Sequence, residues 1–314
     1  FARGELGTNE KLKMENEKLT TMKLLAPAKI NLFLEVVDKR IDGYHNIRTI
    51  FQKIELFDEL SFEEADNGIL LTVEGASLPT GHENIVYKAV KGIMDYANIK
   101  KGIRIHIKKN IPVAAGLGGG SSDAAAALLG ACSLWGLSIT FNELLVIAAD
   151  LGADVPFFLH GDSALGLGRG DELYPINLPW QMRLLIVNPC IEVSTASVYE
   201  KYDSLNNTKM LLTKDEKDIK IKCFIHSKAS IENIGGFLYN DLEAVALRDY
   251  PVIRELKAEL IKQGAAGSLM TGSGPTVFGV FLNEKEAVKG ALEFEKRGYK
   301  VWVTKTLRDN KIEG

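Results

Sequence analysis

Polar residues of both signs fill positions 1–21, and regular apolar patterning begins at Met22. The first period is two. Leu32, Leu34 and Val36 fall on one face of a strand over 23–37, broken near Pro27, and Asp42-Gly43 marks the turn behind it. Further strands are expected over 47–56, 60–64 and 69–74. The period then lengthens: Ile85, Ala89, Ile93 and Tyr96 share one face of a helix over 84–96. Ile103, Ile105 and Ile107 alternate along a strand over 103–108, which runs into a glycine-rich loop and an alanine-rich helix over 119–135. Thr140 with Glu143 makes a capping box for a helix over 141–151 that Gly152 closes.

The second half reads as a buried strand over 184–188 and a polar, irregular stretch over 203–230. A helical region capped by Asn240-Asp241 follows, then a helix opened by Pro251 and running to 263. A glycine-rich element over 267–281 enters a strand, Asn283 with Glu286 caps a last helix ended by Gly298, and a strand over 299–306 closes the pattern. Strands, then helices, then a second set of both, with no internal repeat, argue an α+β fold in two lobes with the boundary inside 165–185.

Composition adds limits. The chain has 314 residues, 46% hydrophobic and 25% charged, enough apolar material for a sizeable core. A net charge of −3 gives no basic field for nucleic acid or a membrane surface. No run approaches the length of a membrane span, and residues 1–21 have no apolar centre of a secretory signal. They read as a disordered extension, a leftover of cloning or an upstream start. Cys132, Cys190 and Cys223 are odd in number and far apart, which suits a reducing, cytoplasmic setting.

The segment with most chemistry is Pro112, Val113, Ala114, Ala115, Gly116, Leu117, Gly118, Gly119, Gly120, Ser121, Ser122. Backbone without Cβ atoms approaches a bulky anion closely, and the N-terminus of the helix behind it favours negative charge. Polyphosphate binding is the expectation. A Walker loop would need Gly-Lys-Ser/Thr at its end, which is absent. A dinucleotide fingerprint needs an acidic residue about 20 positions on, after a strand, whereas Asp150 and Asp154 lie further on and follow a second helix. Ser121 and Ser122 suit phosphate or Mg²⁺ contacts and equally a helix N-cap. On its own, Lys29 is a lysine between core positions, and Asp154 a turn or capping carboxylate. His82, His106, His160 and His226 show no metal spacing, so no metal cage is expected.

Three ordered segments together change this picture. They are Ala26-Pro-Ala-Lys-Ile-Asn-Leu-Phe-Leu34, the loop at 112–125, and Gly267-Ser-Leu-Met-Thr-Gly-Ser-Gly-Pro-Thr-Val-Phe-Gly279. The set resembles the GHMP kinase superfamily. Asp42-Gly-Tyr-His45 and Leu151-Gly-Ala-Asp-Val-Pro-Phe157 narrow it to the branch that phosphorylates the 2-hydroxyl of a cytidine-diphosphate-linked methylerythritol on the non-mevalonate isoprenoid route. The resemblance covers 22–306. It implies an N-terminal lobe like ribosomal protein S5 domain 2 over 22–175 and a ferredoxin-like lobe over 176–314.

It also implies roles. Asp154 is the base with Lys29 beside it, the 112–122 loop wraps the phosphates of ATP, and Mg²⁺ accompanies the nucleotide. Tyr44 stacks on the cytosine, His45 bonds its edge, Tyr199 supplies a second aromatic face, and Asn31 contacts substrate near Lys29. The 271–274 segment lines the site. The protein is then a monomer or homodimer with small-molecule partners. Homoserine or mevalonate kinases are the nearest alternative, disfavoured because their substrates carry no base to stack. An RNA-binding module or a nicotinamide enzyme is disfavoured by charge and by loop context.

Overall fold

The computed structural model describes residues 21–205, 212–226 and 230–308; the expected extension at 1–21 lies outside them except for Thr21. In chain order the elements are β1 (Met22–Lys39), β2 (His45–Ala65), β3 (Ile69–Glu74), α1 (Ile85–Tyr96), β4 (Gly102–Lys108), α2 (Gly119–Leu134), α3 (Phe141–Leu151), α4 (Val155–Leu159), β5 (Ser163–Leu167), β6 (Glu172–Pro175) and β7 (Arg183–Asn188). There follow α5 (Thr195–Leu205), α6 (Lys214–Ile225), β8 (Tyr239–Asn240), α7 (Glu243–Asp249), α8 (Pro251–Lys262), β9 (Gly267–Met270), β10 (Val277–Phe281), α9 (Glu284–Lys296) and β11 (Lys300–Lys305).

The first sheet runs β3-β4-β2-β1-β8, with β5 also on β2 and β6 on β5. Its spine is the long antiparallel pair β1–β2, whose register shifts between Pro27 and Ala28, where proline has no N–H to donate. The sequence pattern breaks β2 into two strands near Asp58. The structure keeps it whole because the polar segment pairs on both sides, with Glu59 opposite Leu25 on β1 and Lys108 on β4. Helices α1 to α4 cover one face. Ala124, Ala125, Ala127 and Ala131 of α2 are buried; their small side chains let this helix lie against β1, β2, α1 and α4.

The second sheet has the order β11-β7-β10-β9, every pair antiparallel, with α8 and α9 packed on it. This is the expected ferredoxin-like arrangement, and the α+β expectation holds throughout. The two sheets share a core: Ala28, Ile30 and Leu32 of β1 pack in one cluster with Leu184, Ile186, Phe278 and Val280. The chain also returns to the first sheet late, where β8 lies parallel to β1 with Phe33 opposite Tyr239.

Helix ends follow their local signals. The Asn84 side chain accepts from the Val86 N–H at 2.8 Å, and Thr140 with Glu143 closes the expected box. The stretch at 203–230 departs from expectation: 206–211 and 227–229 are outside the described residues, but Lys214–Ile225 is a helix with its own Thr213–Glu216 capping box. Its amphipathic pattern is hidden because the buried face carries Lys217, fully buried and bonded to Asp241 at 2.9 and 3.1 Å. The hairpin β5–β6 and the short helices α4 and α5 have no counterpart in the sequence reading.

Candidate active site

The glycine loop is held from both ends. At its entrance, Asp58 Oδ1 accepts the N–H groups of Asn110 at 2.6 Å and Ile111 at 2.9 Å, and its other oxygen takes Lys109 Nζ. The same ammonium bonds Asp123 on α2 at 2.6 Å. All three side chains are buried. Burial pushes the Asp123 carboxyl up to about 7, with Asp58 adding to the shift and Lys109 opposing it. At its exit, Gly118 caps α2 with a left-handed φ of 71° and no side-chain bond. The first intrahelical bond there is Ser122 N–H to Gly118 O at 2.9 Å. The N–H groups of Gly119, Gly120 and Ser121 therefore stand at an uncapped helix start, the arrangement that suits anionic oxygens.

Gly118 is required by space as well as by φ. A Cβ there would lie 2.9 Å from Lys29 Cγ and 2.9 Å from Phe158 Cζ. This contact seats Lys29 against the loop, and Lys29 N–H bonds Leu117 O at 2.9 Å. Lys29 itself is buried. Its ammonium donates to Asn31 Oδ1 at 2.8 Å, lies 3.3 Å from Asp154 Oδ2 and stands over the Phe51 ring at 5.2 Å. Asp154 sits at the N-cap position of α4 but makes no capping bond, so its half-buried carboxylate is turned to Lys29 instead. Asn31 is locked by Thr49 Oγ1, 2.7 Å from its Nδ2. Thr271 Oγ1 accepts Asn31 N–H at 3.1 Å and lies 3.4 Å from Gly116 O, tying the third sequence segment to the first two.

Two cavities meet at Gly116 and Gly118 of this loop. One, of about 420 Å³, is lined by Asn84, Ile85, Lys109, Val113, Gly120, Ser121 and others. The other, of about 200 Å³, holds Lys29, Asn31, Asp154, Arg169, Thr195 and Tyr199. Gly116 and Gly118 line both. The glycine loop is thus the shared wall between a larger space and a smaller space containing the Lys29–Asp154 pair.

The remaining expected residues fall around the smaller cavity. Tyr199 lines it, and its ring stacks on His45 at 4.7 Å between centroids. Burial, then Asp154 and Asp241, push the Tyr199 phenol far up, so it stays protonated. His45 is buried, with Nε2 2.7 Å from Asp203 Oδ1. Tyr44 is exposed, and the Arg169 guanidinium lies over its ring at 5.4 Å. Thr195 and Ser273 hydroxyls bond each other at 2.7 Å at the rim.

Sequence reasoning missed Lys109, Asp58, Arg169 and Asp203. Each acts through a partner distant in sequence or on an unforeseen element; only the position of Lys109, just ahead of the glycines, was a signal. Among the described residues no cluster of His, Cys, Asp or Glu is arranged to hold a metal ion. Ser122 Oγ, by contrast, is buried with no hydrogen-bond partner. A lone hydroxyl at a phosphate loop fits Mg²⁺, which takes most of its oxygens from phosphates and water.

Comparison with known proteins agrees with this geometry. Residues 84–162 match the GHMP kinases N terminal domain, and residues 226–300 match GHMP kinases C terminal. A 4-diphosphocytidyl-2-C-methyl-D-erythritol kinase of Syntrophus aciditrophicus is 44% identical over 278 residues, covering 88% of this chain and 96% of the relative. One of Geobacter sulfurreducens is 43% identical over 292 residues, covering 93% of this chain and 100% of the relative. A crystal structure of 4-(cytidine 5'-diphospho)-2C-methyl-D-erythritol kinase superposes with a TM-score of 0.74 at 32% identity, covering 91% of this chain and 99% of that one. Identity sustained over nearly the full length of whole relatives, on a fold that closes a glycine loop against a lysine–aspartate pair, establishes that the chain belongs to the 4-diphosphocytidyl-2-C-methyl-D-erythritol kinase family of the GHMP kinases.

Proposed function

We propose that this chain transfers the γ-phosphoryl group of ATP to the 2-hydroxyl of 4-diphosphocytidyl-2-C-methyl-D-erythritol. The observation that carries the reading is the pair of cavities meeting at Gly116 and Gly118, with Lys29 and Asp154 on the smaller side. ATP then occupies the larger cavity with its phosphates over the N–H groups of Gly119, Gly120 and Ser121. The acceptor hydroxyl enters beside Asp154. Its oxygen forms the new bond to phosphorus as the bond to the departing ADP oxygen breaks in line, and its proton passes to the Asp154 carboxylate. Lys29, held by Asn31, supplies positive charge next to the transferring group. Ser122 is the side chain suited to hold Mg²⁺; when bound, the ion supplies charge neutralisation on the phosphates.

No covalent enzyme intermediate is needed, since positioning and charge carry the rate. The exposed ring of Tyr44 offers a stacking face for the base, while His45 is buried, bonded to Asp203 and stacked on Tyr199. The reading takes the enzyme as cytoplasmic, on its free cysteines, and as a monomer or homodimer. Among the described residues no helix is long and apolar enough to cross a membrane.

The test is coupled ADP release with Mg-ATP, comparing the cytidylated acceptor with methylerythritol phosphate lacking the cytidine. Release with the cytidylated acceptor alone is expected. Release with neither would sink the acceptor assignment. Lys29→Met and Asp154→Asn should each lower kcat by about a hundredfold to ten-thousandfold, the range for removing a charge beside the transferring group or a positioned general base.

A further inference from the structure

The acceptor proposed above is a base and a sugar alcohol joined by a diphosphate, and this inference rests on that reading. Its two ends mark where the joint must lie. The reacting hydroxyl belongs beside Lys29 and Asp154, inside the smaller cavity. The base belongs at the Tyr44 ring. Arg169 is common to both places: it lines the cavity with Lys29 and Asp154, and its guanidinium carbon is 5.4 Å from the Tyr44 ring centroid.

Two cations line that cavity among the described residues, Lys29 and Arg169. Lys29 is buried and engaged by Asn31 and Asp154. Arg40, on the neighbouring turn, is committed to Asp42 and Asn46. Arg169 is partly exposed, and Asp171 holds one edge of its fork, with Oδ2 3.0 Å from Nε and 2.6 Å from Nη2. The backbone beneath it is fixed as well. Arg169 lies in the tight turn of the β5–β6 hairpin between Gly168 and Gly170, both with positive φ, and its own N–H bonds Asp171 Oδ1 at 3.1 Å. Ile47 N–H bonds Gly168 O at 2.7 Å, pinning the turn to β2.

We infer that Arg169 is a substrate-binding residue that grips the diphosphate of the acceptor, with Asp171 as the positioning residue that orients its guanidinium. A planar fork matches two phosphate oxygens in a way that a lysine does not. The Tyr44 ring beneath it couples base stacking and phosphate binding through one side chain. The charge of Asp171 partly offsets that of Arg169, so the contribution is moderate: about tenfold to a hundredfold in acceptor binding.

The experiment uses the full chain and two competitors of the acceptor, cytidine and CDP. Arg169→Gln should raise the acceptor KM and the CDP inhibition constant by about tenfold to a hundredfold, leaving the cytidine constant and the ATP KM within about threefold. Arg169→Lys should recover part of the CDP loss, and both variants should melt with the wild type. Equal weakening of cytidine and CDP would overturn the inference, because Arg169 would then act through Tyr44 alone. No change for either would overturn it too. If neither compound competed with the acceptor in the wild-type protein, the base-recognition reading itself would fall, and this inference with it.

Discussion

Replacing Gly118 by alanine perturbs the loop at the point where it touches the lysine. Three costs can be worked out. A left-handed φ of 71° costs a residue with a Cβ about 1–2 kcal/mol. The new methyl would lie 2.9 Å from both Lys29 Cγ and Phe158 Cζ, about half an ångström inside ordinary carbon contact. Phe158 packs edge-on to Phe157 at 5.4 Å in the core and has little room to retreat. The strain is therefore taken up by the Lys29 stem, for an overpacking cost of about 1–3 kcal/mol. Together these give a loss of about 2–5 kcal/mol and a fall in Tm of about 3–8 °C.

The functional cost follows from leverage. A displaced Lys29 stem moves an ammonium that lies 2.8 Å from Asn31 and 3.3 Å from Asp154, and a misplacement near 1 Å lowers kcat by about a hundredfold. The assay is ADP release with both substrates saturating, run beside a thermal melt and beside Gly120→Ala. At Gly120 the nearest atom is Ile85 Cγ2 at 3.9 Å, so that variant should keep its Tm and raise only the ATP KM. Gly118→Ala with kcat within about threefold of wild type would refute the claim that this close approach sets the lysine.

Lys217→Met should lower stability by about 3–5 kcal/mol in urea denaturation, since it leaves Asp241 buried without its cation while Glu35 keeps Arg48; a loss below about 1 kcal/mol would refute that account. Glu143 is held at about 2 by hydrogen bonds from the Thr140 hydroxyl, the Tyr96 hydroxyl and the Thr140 N–H. With its folded value depressed, its stabilisation is present above the ordinary carboxylate range and is lost as pH falls through about 2. The Tm gap between wild type and Glu143→Ala should therefore be constant above pH 5 and close toward pH 2; a gap independent of pH would place the effect in packing.

Expectations read from neighbouring residues matched the structure closely. The capping box at Thr140 and Glu143, the end at Gly152 and the start at Pro251 all recur where the pattern put them. The glycine loop ahead of a small-residue helix was equally legible, because a left-handed turn and an uncapped helix start need particular residues in succession. Expectations that depended on partners did worse. The 203–230 stretch looked irregular because Lys217 on a buried face contradicts helical amphipathicity until Asp241, 24 residues on, is seen against it. Strand β2 looked broken until its pairing with β1 and β4 was known.

By itself, the sequence determined the α+β order of elements, the glycine loop ahead of a helix and, through the family resemblance, Lys29 and Asp154 as a pair. Only the tertiary structure decided that Lys109 would be clasped between Asp58 and Asp123, with Asp58 51 residues away, that Thr271 would bridge strand and loop, and that Arg169 would stand between Tyr44 and the reacting pair. The reason is physical. Backbone angles and caps are satisfied within a few residues and so appear as contiguous patterns, whereas a buried charge is tolerable only beside its counter-charge, which folding brings from elsewhere in the chain.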